Sequence, residues 1–323
     1  MEPDLDRARA LLERASRIAV VSHERPDGDA VGSLLGLTLA LQRRGQTAVA
    51  VLGGGLPARY RFLPGADGVV SSLPSDAELI VAVDCAEWRR SGLTADDLRR
   101  PVGLNVDHHP TNTNFAQVNL VDPQAASTTQ ILFTASAALG LPVDQTIATN
   151  YLAGLVTDTI GFRTPNVTPE VLRVAASLEA QASALAVVYE RLLNQRSYAA
   201  ARYWGAGLSR LERHGNLIWT RLTLEDRVGS GYNGSDDADL VNLLGTIEGA
   251  EVCLVFIEQS RSEVKVSWRS SNGLDVARLA QGFGGGGHEP AAGATVSGPL
   301  EEVVARVVEA TRAAMESMGS SRR

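Results

Sequence analysis

The chain of 323 residues contains only two cysteines, Cys85 and Cys253, far apart and in no C-x-x-C or metal-finger spacing. A soluble, reducing setting, the cytoplasm, is the expectation. No run approaches the roughly 18 uninterrupted apolar residues that a spanning helix needs, so no membrane is expected. Residues 1–9 carry Glu2, Asp4 and Asp6 with no apolar stretch behind them and do not read as a secretory signal. Positive charge is also short: 30 Lys and Arg against 37 Asp and Glu leave a net charge of −7. Proteins that grip long nucleic acid by neutralising many phosphates are usually basic, so long duplex nucleic acid is disfavoured. A short phosphorylated ligand stays open if metal ions supply the positive charge. There is no internal repeat. With 44% hydrophobic and 21% charged residues, the composition is that of a globular protein rather than a fibre, coiled coil or disordered tail. At about 150 residues per domain, the length predicts two domains.

The first half alternates short apolar runs with helical patterns. Ile18–Val21, Thr47–Leu52, Leu79–Val83 and Val102–Val106 read as buried strands without polar alternation, the pattern of a parallel sheet covered on both faces. Helices are expected over Ala30–Arg44, Ser127–Leu139 and Ile147–Val156. Another runs from Pro169 to about Ala182, capped by Thr168. The class is α/β, doubly wound. Residues 184–203 read as helical. Beyond about Leu208 the texture changes, with strands at Leu217–Leu222, Val252–Ile257 and Val264–Arg269, a helix at Leu274–Gln281 and a glycine run at 284–287. The basic tip Ser320–Arg323 reads as a frayed end.

Four clusters in the first half hold most of its reactive side chains. They are His23-Glu-Arg-Pro-Asp27-Gly-Asp29, Asp84, Asp107-His108-His109 and Asp158. Taken singly, an Asp after a strand is usually a turn former or helix cap, and a His a satisfied surface or core residue. Three of the five histidines and at least five aspartates gathering at predicted strand ends is a different matter. The carboxyl ends of parallel strands converge on one edge, where ligands bind. Asp27 and Asp29, one glycine apart, repel unless a cation lies between them. Mixed carboxylate and imidazole sets suit Mn²⁺ or Mg²⁺. Two such ions roughly 3.5–4 Å apart activate a water and neutralise phosphoryl oxygens. The residues therefore point to a two-metal hydrolase.

In the second half, Gly284-Gly-Gly-Gly-His288-Glu-Pro-Ala-Ala-Gly293 follows a predicted helix and precedes an apolar run, which favours a packed loop. Its backbone N–H groups are placed to approach an anion. His288 and the upstream Arg269 are candidates to contact phosphate, and the imidazole to stack on a base. The G-K-[ST] ending of a nucleoside-triphosphatase loop is missing. Arg163, close behind Asp158, either touches phosphate or forms a surface ion pair. Cys85 sits in no electropositive context and is assigned no reactivity.

Taken together, His23-x-x-x-Asp27-x-Asp29, Asp84, Asp107-His108-His109 and Asp158 resemble the four signature motifs of the DHH phosphoesterases. Gly284-Gly-Gly-Gly-His288-x-x-Ala-Ala-Gly293 resembles the recognition loop of the DHH-associated C-terminal domain. The resemblance runs from about residue 15 to 315, and the size is similar to the bacterial nano-RNase branch. It implies a mainly parallel five-stranded sheet domain (1–185), a helical linker (186–207) and a smaller mixed α/β recognition domain (208–323), with the active site in the cleft between them. It implies His23, Asp27 and Asp84 around one cation, and Asp29, Asp84, His108 and Asp158 around the other, with Asp84 bridging. His109 would face the scissile phosphate and Asp107 would orient a histidine. Arg269, Gly285, Gly286, Gly287 and His288 would hold the nucleotide, with Arg163 nearby. Mn²⁺ is the usual metal of the family, with Mg²⁺ or Co²⁺ also suitable. The implied activity is hydrolysis of very short oligoribonucleotides to mononucleotides and of 3′-phosphoadenosine-5′-phosphate (pAp) to AMP. The implied partners are short RNA, pAp or dinucleotides, and a homodimer is compatible. Alternatives are a cyclic or linear dinucleotide phosphodiesterase, a RecJ-like single-strand exonuclease, and a nucleotide sensor without turnover.

Overall fold

The apolar runs of the first half are strands because each is buried on both faces. In the computed structural model, which describes residues 2–321, the chain divides into two compact units, one ending at Gln195 and the other starting at Arg196. The first unit holds β1 (Arg17–Val21), β2 (Thr47–Val51), β3 (Leu79–Val83), β4 (Leu104–Asp107) and β5 (Val118–Val121), all parallel, in the order β2-β1-β3-β4-β5. Alternate residues divide between two cores. Ile18 and Val20 of β1 enter a large core with α-helical residues, whereas Ala19 and Val21 join a smaller one with Val51, Ile80, Ala82 and Val102. Helices contributing to the larger core include α1 (Glu2–Arg14), α2 (Gly28–Arg43), α3 (Thr128–Ala135), α4 (Gln145–Asp158) and α5 (Pro169–Ala182). The smaller core is covered by short 3-10 turns and irregular segments carrying Leu73, Trp88, Leu93 and Phe115. Right-handed crossovers explain the division, since the connections into β3, β4 and β5 run the opposite way along the sheet from the β1–α2–β2 crossover.

Helices α2 and α4 pack closely. A Cβ on Gly32 would lie 2.4 Å from the carbonyl oxygen of Asn150, so only glycine fits there. At their far ends, Arg43 Nε donates to Asp144 Oδ2 at 2.8 Å, while Asp144 Oδ1 caps α4 by accepting from Thr146 N and Ile147 N. Thr168 caps α5 through Val171 N, with Pro169 in the first turn, as its sequence predicts.

The helical stretch expected over 184–203 is interrupted. After α6 (Leu185–Val188), residues Tyr189–Asn194 wind as a π-helix, Gln195 is extended, and α7 (Tyr198–Leu208) starts afresh behind Ser197. The interruption falls where the two compact units part.

In the second unit a mixed sheet runs β10-β11-β9-β8-β7-β6. Its elements are β6 (Glu212–His214), β7 (Leu217–Leu222), α8 (Leu224–Ser230), α9 (Leu240–Leu244), β8 (Val252–Ser260), β9 (Glu263–Ser270), α10 (Val276–Gln281), β10 (Gly286–His288), β11 (Ala291–Ser297) and α11 (Leu300–Ser321). Val252, Leu254 and Phe256 face a core shared with α10 and α11; Cys253, Val255 and Ile257 face Tyr203, Leu240 and Leu244. Trp268 is fully buried and donates to Thr311 Oγ1. Helix α11 reaches Ser321, so the tip expected to fray is helical that far, and Arg322 and Arg323 lie outside the described residues. Among the described residues, no single helix is long and apolar enough to cross a membrane.

Candidate active site

The strand order reverses between β1 and β3, and in open parallel sheets ligands bind at the carboxyl ends beside such a switch. His23 follows β1, and Asp84 directly follows β3. Asp107 ends β4, with His108 and His109 behind it. Asp27 and Asp29 open α2, and Asp158 is the last residue of α4. Residues 135 positions apart in sequence, His23 and Asp158 among them, thus belong to one cluster.

Three groups of donor atoms, each mutually within 4.8 Å, make up this cluster: His23, Asp27 and Asp84; Asp84, His108 and His109; Asp29, His108 and Asp158. Asp84, 1% exposed, belongs to two of them. Its Oδ2 lies 3.7 Å from His23 Nε2, and its Oδ1 lies 3.7 Å from His108 Nε2 and 3.6 Å from His109 Nδ1. Oδ1 accepts from Thr128 Oγ1, whereas Oδ2 is shielded from solvent and accepts no hydrogen bond among the described residues. Asp84 also holds a positive φ of 51°, uncommon outside glycine and least costly for Asp or Asn.

Two of the acids combine a local duty with a place in the cluster. Asp27 Oδ1 caps α2 by accepting from Asp29 N and Ala30 N. Asp29, 1% exposed, accepts from Thr128 N, Thr129 N and Thr129 Oγ1, which ties α2 to the start of α3. Asp158 stands at the negative end of the α4 dipole, an unfavourable place for a carboxylate. His108 Nδ1 faces Ala125 O at 3.4 Å, leaving Nε2 toward Asp84 and, at 3.5 Å, Asp158. A histidine fixed through its other nitrogen is the usual arrangement of a metal ligand.

The electrostatics tell the same story. Burial, then the charges of Asp29, Asp27 and Asp84, push Asp158 up to about 9. Burial and Asp84 push Asp29 up to about 7 and also raise Asp27. Burial alone would raise Asp84, but His23, His109 and His108 around it hold it below the ordinary carboxylate value. Protein groups alone therefore leave excess negative charge here. A solvent-shielded, unpartnered Asp84 oxygen and a mixed set of carboxylate and imidazole donors fit divalent cations. His23, Asp27, Asp29, Asp84, His108, His109 and Asp158 supply the donor atoms that lie close enough together to hold them.

Asp107 is fully buried and accepts from His109, whose Nδ1 lies 2.7 Å from Oδ1, and from Asn112 Nδ2 at 2.5 Å. Burial works against a charged His109, but the bond to Asp107 and the charge of Asp84 raise its pKa above the usual histidine value. Asn112, Thr128 and Thr129 were not singled out by sequence. Ser127-Thr128-Thr129 signals a helix start, but nothing in the spacing says which carboxylate, about a hundred residues earlier, it meets. Cys85 is buried, its thiol pushed up to about 12 by burial and Asp107, and so inert.

The packing that creates the cluster is testable. A Cβ on Gly154 would lie 2.4 Å from Thr129 Cγ2 and 2.7 Å from Asp29 Oδ1. Gly154→Ala is expected to destabilise the first unit by about 1–3 kcal/mol in denaturant unfolding and to weaken metal retention.

In the second unit the glycine run is only partly a loop. Gly286–His288 forms edge strand β10, hairpinned to β11 through Glu289 and Pro290. The register places His288 opposite Ala291, and Ala291 opposite Arg269. Two residues back, Gly286, Gly293 and Ser267 form a second row on the same face. This face is an unburied platform of small residues, with Arg269 and His288 on strands about 10 Å apart. Arg269 is held by Asn242 Oδ1 at 2.8 Å and by the Trp268 carbonyl oxygen. Glycine at 287 is demanded by φ 146° and by the nearby carbonyl oxygen of Ala291, whereas Gly286 faces open space. Gly285 packs its Cα against β11 at Gly293 and Ala294. Arg163 is exposed, its Nε bonded to Ile160 O, and no hydrogen bond or ion pair joins it to the cluster among the described residues.

Family models describe the same two parts. "DHH family, N-terminal domain" matches residues 17–155, and "DHHA1 domain" matches 216–317. A Thermus thermophilus protein named "Bifunctional oligoribonuclease and PAP phosphatase NrnA" is 40% identical over 309 residues, covering 94% of this chain and 91% of the relative. The Bacillus subtilis protein of the same name is 28% identical over 284 residues, covering 85% and 87%. An exopolyphosphatase-related protein from Bacteroides fragilis shares the fold, with a TM-score of 0.88 at 24% identity, covering 98% of this chain and 96% of that one. Exonuclease RecJ bound to manganese aligns with a TM-score of 0.51 at 18% identity, covering 95% and 94%. With a relative this similar along both full lengths and both domain models in order, the chain belongs to the DHH family.

Proposed function

We propose that this protein is a metal-dependent phosphoesterase that hydrolyses very short oligoribonucleotides to mononucleotides and pAp to AMP. The observation that carries this reading is the buried cluster in which Asp84 belongs to two converging donor groups. The name of the Thermus thermophilus relative describes both activities. Mn²⁺ is the cation we assign, supported by the RecJ structure bound to manganese; Mg²⁺ and Co²⁺ suit the same donors. His23, Asp27 and Asp84 would hold one ion, and Asp29, Asp84, His108 and Asp158 the other. When bound, the ions supply an activated water and the positive charge that phosphoryl oxygens require.

The protein's own groups do the rest in this reading. With its Nδ1 proton held by Asp107, His109 has Nε2 available for the phosphate, and the Asp107 carboxylate favours its charged form. It can then donate to a phosphoryl or leaving-group oxygen. Asn112 and the backbone N–H of His108 fix Asp107 in turn. On the second unit, Arg269 and His288 hold the phosphate and base of the nucleotide, and Gly286 lets its backbone come close.

The test is AMP release from diadenylate and from pAp by purified protein with Mn²⁺. Turnover of both, abolished by EDTA, is expected; turnover of neither sinks the reading. His288→Ala is expected to raise KM for diadenylate about tenfold, while a small generic phosphodiester changes less than twofold. Equal losses on both would remove the recognition role of the platform.

A further inference from the structure

The first unit has a groove that neither the metal cluster nor the sheet platform uses. It is a cavity of about 720 Å³ whose lining includes Glu87, Trp88, Arg89, Arg99, Thr113 and Phe115. Trp88 and Phe115 are half-buried and stacked, with ring centroids 6.0 Å apart and planes 24° apart, so the pair forms a flat aromatic wall. Arg89 is exposed and has no hydrogen-bond or ion-pair partner among the described residues, whereas Arg99 is paired only with the exposed Asp96. The indole N–H of Trp88 is shielded from solvent and has no acceptor among the described residues. An orphaned donor of this kind is unfavourable, and a ligand oxygen reached by a small ring rotation would relieve it.

The walls of this groove are extensions of the loops that carry the cluster. Glu87 and Trp88 follow Asp84, and Thr113 and Phe115 follow His109. The two loops are fastened together: Thr113 N and Oγ1 both donate to Ala86 O, at 3.0 and 3.2 Å, and Asn112 Nδ2 reaches both Cys85 O and Asp107 Oδ2. The Arg90 carbonyl oxygen accepts from Glu24 N, next to His23. A chain whose net charge is −7 thus places exposed guanidinium groups beside an aromatic wall, on the same loops as its phosphate chemistry. Aromatic faces stack on any nucleobase and arginine binds phosphate, the pairing used by single-strand sites.

Building on the phosphoesterase reading, we infer that the Trp88–Phe115 groove is a subsite for an additional nucleotide of a short oligonucleotide, its base stacked on the aromatic wall and its phosphate held by Arg89 and Arg99. Glu87 at the rim accepts hydrogen bonds from ribose hydroxyls or base N–H groups. The subsite is engaged by substrates of two or more nucleotides and not by pAp, which has a single base. It makes the groove a determinant of substrate length.

The test compares kcat/KM on triadenylate and on pAp for the wild-type protein and for Trp88→Ala, Trp88→Phe and Arg89→Ala. Trp88→Ala and Arg89→Ala are expected to lower the triadenylate value about tenfold each while pAp changes less than twofold, and Trp88→Phe to retain most of it. Equal losses on both substrates would mean that the groove merely supports the catalytic loops, and no loss on either would mean that no nucleotide lodges there; each result overturns the inference. Arg89 is exposed, so its variant guards against misfolding. Calorimetric binding of triadenylate and AMP to Asp84→Asn protein, with and without Arg89→Ala, separates this inference from the catalytic reading. A selective loss of triadenylate affinity supports the subsite even if the wild-type protein turns over neither substrate, and unchanged affinity rejects it.

Discussion

Asp84→Asn is expected to lower turnover of pAp and diadenylate by at least about three orders of magnitude, roughly 4 kcal/mol of transition-state stabilisation. The size follows from position: Asp84 belongs to two of the three donor groups, so one neutralised carboxylate unbalances both halves of the cluster. The fold should survive. Asn tolerates the left-handed backbone at φ 51°, and its amide oxygen can still accept from Thr128 Oγ1. The measurement is kcat with Mn²⁺ alongside circular dichroism and bound-metal analysis. A variant that keeps more than a tenth of its activity, with native spectra, would show that Asp84 is not shared by the chemistry.

The second large effect is on stability. Removing divalent cations leaves four buried or crowded carboxylates facing one another, and restoring Mn²⁺ to about a hundred times its Kd should add about 2.7 kcal/mol. That corresponds to about 5–10 °C in the melting of the first unit. The metal-free protein should also respond to pH in an unusual direction. Unfolded carboxyl groups lose their protons near pH 4, whereas folded Asp29 holds one to about 7 and Asp158 to about 9. Between those values the folded state binds more protons, so stability falls as pH rises. His108 and His109, also raised, act in the same sense above about pH 6.5. Asp84 is lowered and matters only in more acid solution. Metal-free protein should therefore melt at a higher temperature at pH 5 than at pH 8, and Mn²⁺ should reverse the trend because protons compete for its ligands. A metal-free melting temperature that is flat across this range and unmoved by Mn²⁺ would contradict the cluster as described.

What could be read in advance was whatever repeats along the chain. The runs at 18–21, 47–52 and 79–83 are legible because strands of a buried parallel sheet need no polar alternation, and Thr168-Pro169 because a cap and a first-turn proline act locally. β5 escaped notice because its four residues hold only two buried positions, and α1 because few of its residues are fully buried. The cluster acids were legible as residues beside strand and helix ends, but Thr128 was not, since its partners Asp29 and Asp84 come from remote segments. The glycine run was legible as something special, yet its pairing with Arg269 needed the register of β9, β11 and β10. The Trp88–Phe115 wall left no mark at all, because its two rings come from different irregular loops.

The ion pair between Arg43 and Asp144 has a reach beyond its own surroundings. It fastens α2 to α4 at the ends remote from the carboxylates, about 21 Å down a helix of 14 residues. Both partners are exposed, so added salt slackens this clasp more readily than any buried contact. The two rods then behave like pliers held at the handle, pivoting on the close contacts of Gly32 with Asn150 and of Gly28 with Thr157, so that a slight splay there would shift the spacing of Asp29 and Asp158 at the jaws. A search for variants that favour a larger or smaller ion should include this remote handle as well as the jaws.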